Sequence, residues 1–226
     1  MHKIVPAYHA PFVGAALTLA AVFRIICGMK VFKPAMVFAA VLAASALSGC
    51  LTSVGMSEMA CWNIEYTGEK AEGSVEPRFG TVRASQVAVR APYAVKGLAV
   101  LRANGTVAFD PYNEYAASPS ALLKGAVEDA LAASGLFKTV VGAASSANAS
   151  LSAEVTVTRL ALDCRAEGSR RAVAELDVCL VDRHSVVARA KGSGAADAAD
   201  GKYGAAFSGA VSDALVEAMK RLGPRN

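Results

Sequence analysis

Histidine is scarce in this chain of 226 residues: there are three, and only His184 lies beyond Gly49. A histidine-based triad or a zinc site in the body of the chain has one candidate and no second ligand. The five cysteines include no C-x-x-C pair, so no redox or zinc motif is formed from them. Acid is missing from residues 1–49, which carry Lys3, Arg24, Lys30 and Lys33 and no Asp or Glu. The formal charge of +4 therefore belongs to the front end, and residues 50–226 balance at nineteen bases and nineteen acids. A neutral body has no electrostatic footprint for a phosphate-tracking groove, so no nucleic-acid partner is expected. Phosphate loops are not supported either: Gly192-Ser193-Gly194 is a fragment, and Gly201-Lys202 runs into Tyr203 where Ser or Thr is needed. What the chain has is apolar surface. Hydrophobic residues make up 54% against 19% charged, with a mean hydropathy of +0.37, so a packed core is expected.

The acid-free front end reads as an export signal. Met29-Lys30-Val31-Phe32-Lys33 supplies a basic start, and Ala35 to Leu47 is an apolar run of thirteen residues interrupted by one Ser. That length suits a signal-peptide core and falls short of the roughly 20 residues a spanning helix needs. Leu47-Ser48-Gly49-Cys50 comes next and looks like a bacterial lipobox. Leu47 would fill an apolar peptidase pocket, Ser48 and Gly49 would allow close approach to the bond before Cys50, and the Cys50 thiol would take a diacylglycerol. No other cofactor is expected beyond that diacylglycerol and an acyl chain (palmitate) on Cys50. Residues 1–28 carry a second apolar run and are expected to be an upstream extension or a mis-called start, with a transmembrane helix as the alternative. The organisation expected is then 29–49 signal peptide, 50–60 lipidated tether and 61–226 one domain. Leu51 replaces the Asp that marks inner-membrane retention in enteric bacteria, so the expected location is the outer membrane, periplasmic face.

Alternation and turn residues order the rest. Cys61 to Tyr66 reads as a strand, 67–80 as a loop, and Val82 to Arg90 as a strand ended by Pro92, which lacks the N–H a ladder needs. Leu98–Arg102 and Thr106–Phe109 flank Asn104-Gly105, a hairpin turn. Ser118-Pro119 opens a helix whose apolar face runs through Leu122, Leu123, Ala126, Val127, Ala130 and Leu131 to a stop at Gly135. After a linker at 142–150 come strands at 151–162, 173–181 and 186–191, then a small polar segment at 192–201. A last helix over 203–222 buries Phe207, Val211, Leu215, Ala218 and Leu222, and Gly223-Pro224 ends it. This order implies an α+β fold: a single two-layer domain with a mixed, mostly antiparallel sheet and two amphipathic helices on one face.

Few residues stand out as functional. Cys61, Cys164 and Cys179 remain after export, and free thiols or one bridge are both open. His184 sits in an expected hairpin turn, and Glu65 or Asp163 would be a carboxylate without a partner at useful spacing; an anchored enzyme acting through His184 or Glu65 is the weakest reading. The aromatics cluster: Tyr93 follows Pro92, while Phe109, Tyr112 and Tyr115 precede the first helix. They either cap one end of the sheet, or Tyr93, Tyr112 and Tyr115 contribute to a protein-contact patch.

From Val82 to Ser118 the pattern is similar to the auxiliary lipoproteins of ABC-type transport systems that accompany Mce-domain lipid transporters, such as the paraquat-inducible system. Its components are the lipobox ending in Cys50, an aromatic first strand at Trp62 to Tyr66, a strand closing on Ala91-Pro92-Tyr93, Asn113-Glu114-Tyr115-Ala116 stepping into the first helix, and the late apolar strand with Leu176, Val178 and Leu180. Tyr115 stands where that family usually has Trp. The resemblance implies a non-enzymatic lipoprotein, held in the outer membrane by its lipid, that docks a periplasm-spanning Mce-domain partner in moving phospholipids between membranes; self-association is left open. The alternative is a lipoprotein that carries a lipid or small molecule itself, in a cavity between sheet and helices.

Overall fold

The computed structural model describes residues 59–70, 76–198 and 201–223. The expected signal peptide, residues 29–49, and Cys50 lie outside them. Residues 57–226 form one compact unit, whose described part is a single eight-stranded sheet with two helices on one face. The chain runs β1 (Ala60–Trp62), β2 (Phe79–Val89), β3 (Gly97–Arg102), β4 (Val107–Tyr115), α1 (Pro119–Ala133), β5 (Phe137–Val141), β6 (Leu151–Cys164), β7 (Arg171–Asp182), β8 (Ser185–Asp197) and α2 (Tyr203–Leu222).

The long strand β6 organises the sheet. One of its edges pairs antiparallel with β7 along nearly its whole length, and β7 pairs antiparallel with β8. The other edge is shared end to end by two parallel strands: β2 pairs with residues 151–157, and β3 takes over at 162–164. Pro92 explains the handover. The last bond of β2 is Arg90 N–H to Val157 O, and the chain turns through 91–96 before β3 rejoins the edge. β4 pairs antiparallel with β3, and short β1 pairs parallel with β4. β5 adds in parallel to the outside of β2. The sheet is mixed as expected.

Alternation sorts the side chains. Leu176, Val178 and Leu180 of β7 and Val155, Val157 and Leu160 of β6 face the helices and join Leu123, Val127, Leu131, Phe207, Val211 and Leu215 in the main core. On the other face the described residues bury a small apolar cluster, Ala99, Leu101 and Ala161, with Tyr93, Val107 and Val173 packed around it. α2 covers β7 and β8, while α1 covers β2 and β5.

Four elements differ from the sequence-based expectation. β1 is three residues rather than six: after Trp62 the chain leaves the sheet and crosses α2 as an extended strap. There the N–H groups of Glu65 and Thr67 donate to Ser208 Oγ (3.0 Å) and Ser212 Oγ (2.8 Å), and Ile64 is buried beneath. β4 runs on to Tyr115 through an irregularity at 110–113 that tolerates Pro111. β5 stands on residues for which no element is expected, between the first helix and the linker at 142–150, because its five residues carry little periodicity. β8 continues through Gly192 to Asp197 instead of stopping at Lys191, because glycine there meets a helix and not solvent. A Cβ on Gly192 would stand 2.8 Å from the Ala214 carbonyl carbon and nearer still to its oxygen; one on Gly194 would stand 2.7 Å from Ala214 N. Ala206, Ala210, Ala214 and Ala218, four apart and all buried, complete this close approach.

Candidate functional site

The chemistry-bearing position in the sequence is Cys50, with Leu47, Ser48 and Gly49 before it; all four lie outside the described residues. The structure does place the point where the chain enters the body. Ala60 pairs with Asn113 and Trp62 with Tyr115, so the chain coming from Cys50 enters at the β1–β4 edge.

Tyr93, Tyr112 and Tyr115 are the candidates for partner contact, and the fold separates them. Tyr115 is 1% exposed and belongs to the aromatic core: its ring lies 4.4 Å from Trp62 and 5.8 Å from Phe207, edge-on to both. Burial pushes its phenol well above the usual range, and neither its hydroxyl nor Trp62 Nε1 has a hydrogen-bond partner among the described residues. So placed, Tyr115 has no surface to offer a partner. Tyr93 is half-buried in the turn after β2, its N–H donating to Arg90 O, and touches the small cluster on the helix-free face. Tyr112 is 55% exposed in the irregular stretch of β4. Phe109, half exposed, lays its ring over Gly97, where a Cβ would sit 3.7 Å from the ring carbon Cδ1.

The helix-free face of the sheet continues from that apolar end into rows of paired charge. Arg159 meets Glu175 at 2.7 Å, Arg171 meets Asp197 at 3.7 Å, and Asp177 accepts a forked pair of bonds from Arg189. The Arg189 guanidinium holds the Asp177 carboxyl below the usual carboxylate range. Arg90, Asp177, Arg189 and Lys191 border a shallow hollow of about 290 Å³ here. Opposite-sign pairs spaced over a face position a partner more than they supply net attraction.

A second hollow lies on the outer side of the helices. The strap and the adjoining faces of α1 and α2 bound an open cleft of about 520 Å³, with Ala130, Ala133, Val216 and Met219 as its floor and Tyr66, Lys70, Asp213 and Lys220 at its rim. Between sheet and helices, the place of the alternative cargo cavity, the alanine stripe of α2 and the glycines of β8 close the layers on each other.

The remaining candidates are dispersed. His184 stands exposed in the β7–β8 turn and Glu65 on the strap, and among the described residues no hydrogen bond or ion pair joins them. Asp163 is bound by Arg165 two residues on, which lowers its carboxyl. Cys61, Cys164 and Cys179 are free thiols; Cys61 Sγ donates to Glu114 Oε1 at 3.4 Å, a bond that raises its pKa. Among the described residues no group of His, Cys, Asp and Glu is arranged to hold a metal ion, and no helix is long and apolar enough to cross a membrane. Sequence reasoning missed Met59 and Val95 as exposed apolar positions, since single residues in a tether and a turn carry no periodic signal.

No family model matches this chain, and no curated protein matches it. Solved structures do. A Xanthomonas campestris protein described as a DUF330 family member superposes with a TM-score of 0.56 at 16% identity, over 72% of this chain and 92% of that one. The likeness is one of fold. A second solved structure, of an uncharacterized protein, gives 0.50 at 13% identity over 73% of this chain and 95% of its own. A Caulobacter crescentus structure described as a lipoprotein candidate covers 42% of this chain and 70% of its own at 21% identity, and its TM-score of 0.28 carries no argument.

Proposed function

We propose that this chain is a non-enzymatic lipoprotein of the bacterial envelope. It is anchored through Cys50 on the periplasmic face of the outer membrane, and it serves as the auxiliary component that docks the Mce-domain partner of an ABC-type lipid transporter. The observation that carries this reading is Leu47-Ser48-Gly49-Cys50 at the end of a basic, then apolar leader, ten residues ahead of the first strand of a body with its own core. The fold shared with the DUF330 protein supports the two-layer architecture that the order of elements implies.

The mechanism is positional. Each buried acyl methylene contributes about 0.8 kcal/mol, so two or more chains hold the protein on a leaflet. Confinement there raises the effective concentration of the docking face for a partner reaching across the periplasm. The helix-free face, with Tyr93 and its rows of paired charge, is the docking face in this reading.

Intact-mass spectrometry of the membrane-extracted protein checks the anchor: a diacylglycerol and an acyl chain on Cys50, with residues 1–49 removed, are expected. The Mce-domain partner should co-purify with the unsubstituted protein, and Cys50→Ala should abolish the phospholipid-transport phenotype. Unchanged transport in that variant would overturn the tether role. One observation favours a second reading, in which the protein carries a lipid or small molecule itself: the cleft of about 520 Å³ between the helices falls within the size range of ligand sites. Native mass spectrometry decides it, since stoichiometric bound lipid is expected only for a carrier.

A further inference from the structure

Six large apolar side chains of the described residues are exposed, and they fall into two groups. Val186 and Val187 follow the β7–β8 turn on β8, while Met59, Val95, Phe109 and Tyr112 lie on β4 or close before β1 and β3. The second group shares a corner for reasons visible in the register. Ala60 pairs in parallel with Asn113, which sets Met59 beside Tyr112. Gly97 pairs with Glu114 but Ala99 already pairs with Phe109, so residues 110–113 bulge from the ladder and carry Tyr112 outward. Phe109 lies over Gly97, and Val95 is two residues before it. Exposures of 52%, 48%, 49% and 55% leave about half of each side chain in water.

The geometry points to this corner as the surface that rests on the bilayer, with Phe109, Tyr112, Met59 and Val95 inserted at the level of the lipid headgroups. The inference rests on anchoring through Cys50 and adds to it an orientation. Nine residue steps separate Cys50 from Met59, a reach of about 30 Å at full extension, and the tether enters the body at this corner and not elsewhere. Tyrosine suits such a position, because an apolar ring with a polar tip fits the headgroup boundary, and Phe109 adds a wholly apolar ring beside it. Charge there is small: Lys96 pairs with Glu114 at 3.3 Å, which leaves Asp110 as the one further charged residue on the bulge. Adsorption therefore depends on apolar burial, and neither anionic lipid nor low salt is required. The β7–β8 turn points away from the membrane. β3 runs parallel to β6 with Val100 beside Leu162, so Gly97 stands about level with Arg159, whereas the turn end of β7 meets β6 at Ser152, about seven residues or about 23 Å along the strand.

The test uses the lipidated chain in zwitterionic phosphatidylcholine vesicles, with and without brominated acyl chains. Tyr112→Trp reports the corner and His184→Trp the far turn, each after subtraction of the Trp62 signal measured in the unsubstituted chain. The expected result is loss of more than half of the Tyr112→Trp emission to bromine, unchanged between low and high salt, with no loss from His184→Trp. Adding Phe109→Ser and Val95→Ser should cut that quenching severalfold. Equal quenching at both positions, or greater quenching at the far turn, overturns the orientation. A doubling of mass abolished by Tyr112→Trp, without quenching, would assign the corner to a second copy and also overturn it. A bare Cys50 by intact mass defeats the anchoring instead, and quenching of the unanchored chain in excess vesicles then still decides the corner.

Discussion

Replacing Gly194 by alanine is the sharpest test of how the two layers meet. The added Cβ would stand 2.7 Å from Ala214 N and 2.8 Å from Asp213 Cβ, and closer than either to the Ala210 carbonyl oxygen. Two of those three atoms are helix backbone, so no side-chain rotation relieves the clash; α2 as a whole must retreat. That helix buries twelve residues, Phe207, Val211 and Leu215 among them, against the sheet on one side and the strap on the other. Inserting one methyl into a packed core costs about 1–3 kcal/mol where side chains can adjust. With a rigid neighbour the expectation is the top of that range, about 3 kcal/mol, or about 6–12 °C in melting temperature for a domain of this size. Gly192→Ala meets Ala214 and Ala218 in the same way, and because both substitutions push on one helix their costs should not add. Gly125→Ala is the control: it lies on the exposed side of α1 with open space around its Cβ, and should stabilise by about 0.5–1 kcal/mol. Near-UV circular dichroism, followed through the melt, reads all three. A shift below about 2 °C for Gly194→Ala, smaller than even a 1 kcal/mol cost would give, would refute the close strand–helix approach.

Other consequences are equally direct. Tyr115→Phe removes a buried hydroxyl without a partner, so it should leave stability unchanged or raise it by about 1 kcal/mol in denaturant melts; a loss of similar size would reveal a bonded hydroxyl. Ser208→Ala with Ser212→Ala frees the strap: amide exchange at Glu65 and Thr67 should accelerate at least tenfold while the β6 and β7 amides are unaffected. Asp177, Asp163 and Glu217 are all held below their ordinary carboxylate range, by Arg189, by Arg165 and by the Ser193 N–H respectively. A carboxyl lowered by folding adds stability that is complete above its unfolded value and is lost as pH falls through its folded value. Denaturation midpoints should thus hold steady from neutrality to about pH 4.5 and then fall. Asp177→Asn should lower the plateau and make the fall shallower, and an unchanged slope would remove Asp177 from that account.

Much of this protein is written in local pattern. Ser118-Pro119 and Gly135 bracket α1, Asn104-Gly105 turns β3 into β4 with Gly105 at φ +80°, and the apolar spacing of residues 203–222 is a helix with the buried face it announces. These features depend on steric and periodic rules acting over a few residues, so a single sequence suffices to read them. The lipobox-like run Leu47-Ser48-Gly49-Cys50 is local in the same sense, four residues whose reading lies in their order.

Pairing is not local. That β2 and β3 share one edge of β6, that Cys61 to Tyr66 is mostly a strap over a helix, and that Gly192 and Gly194 continue a strand were decided by contacts between segments far apart in the chain. The aromatic cluster shows the same division. Sequence placed Phe109, Tyr112 and Tyr115 together, but only the bulge in β4 turned Tyr112 outward while Tyr115 closed on Trp62 and Phe207. A residue's type fixes which contacts it favours; the direction it faces is set by the register of strands that meet only when the chain has folded.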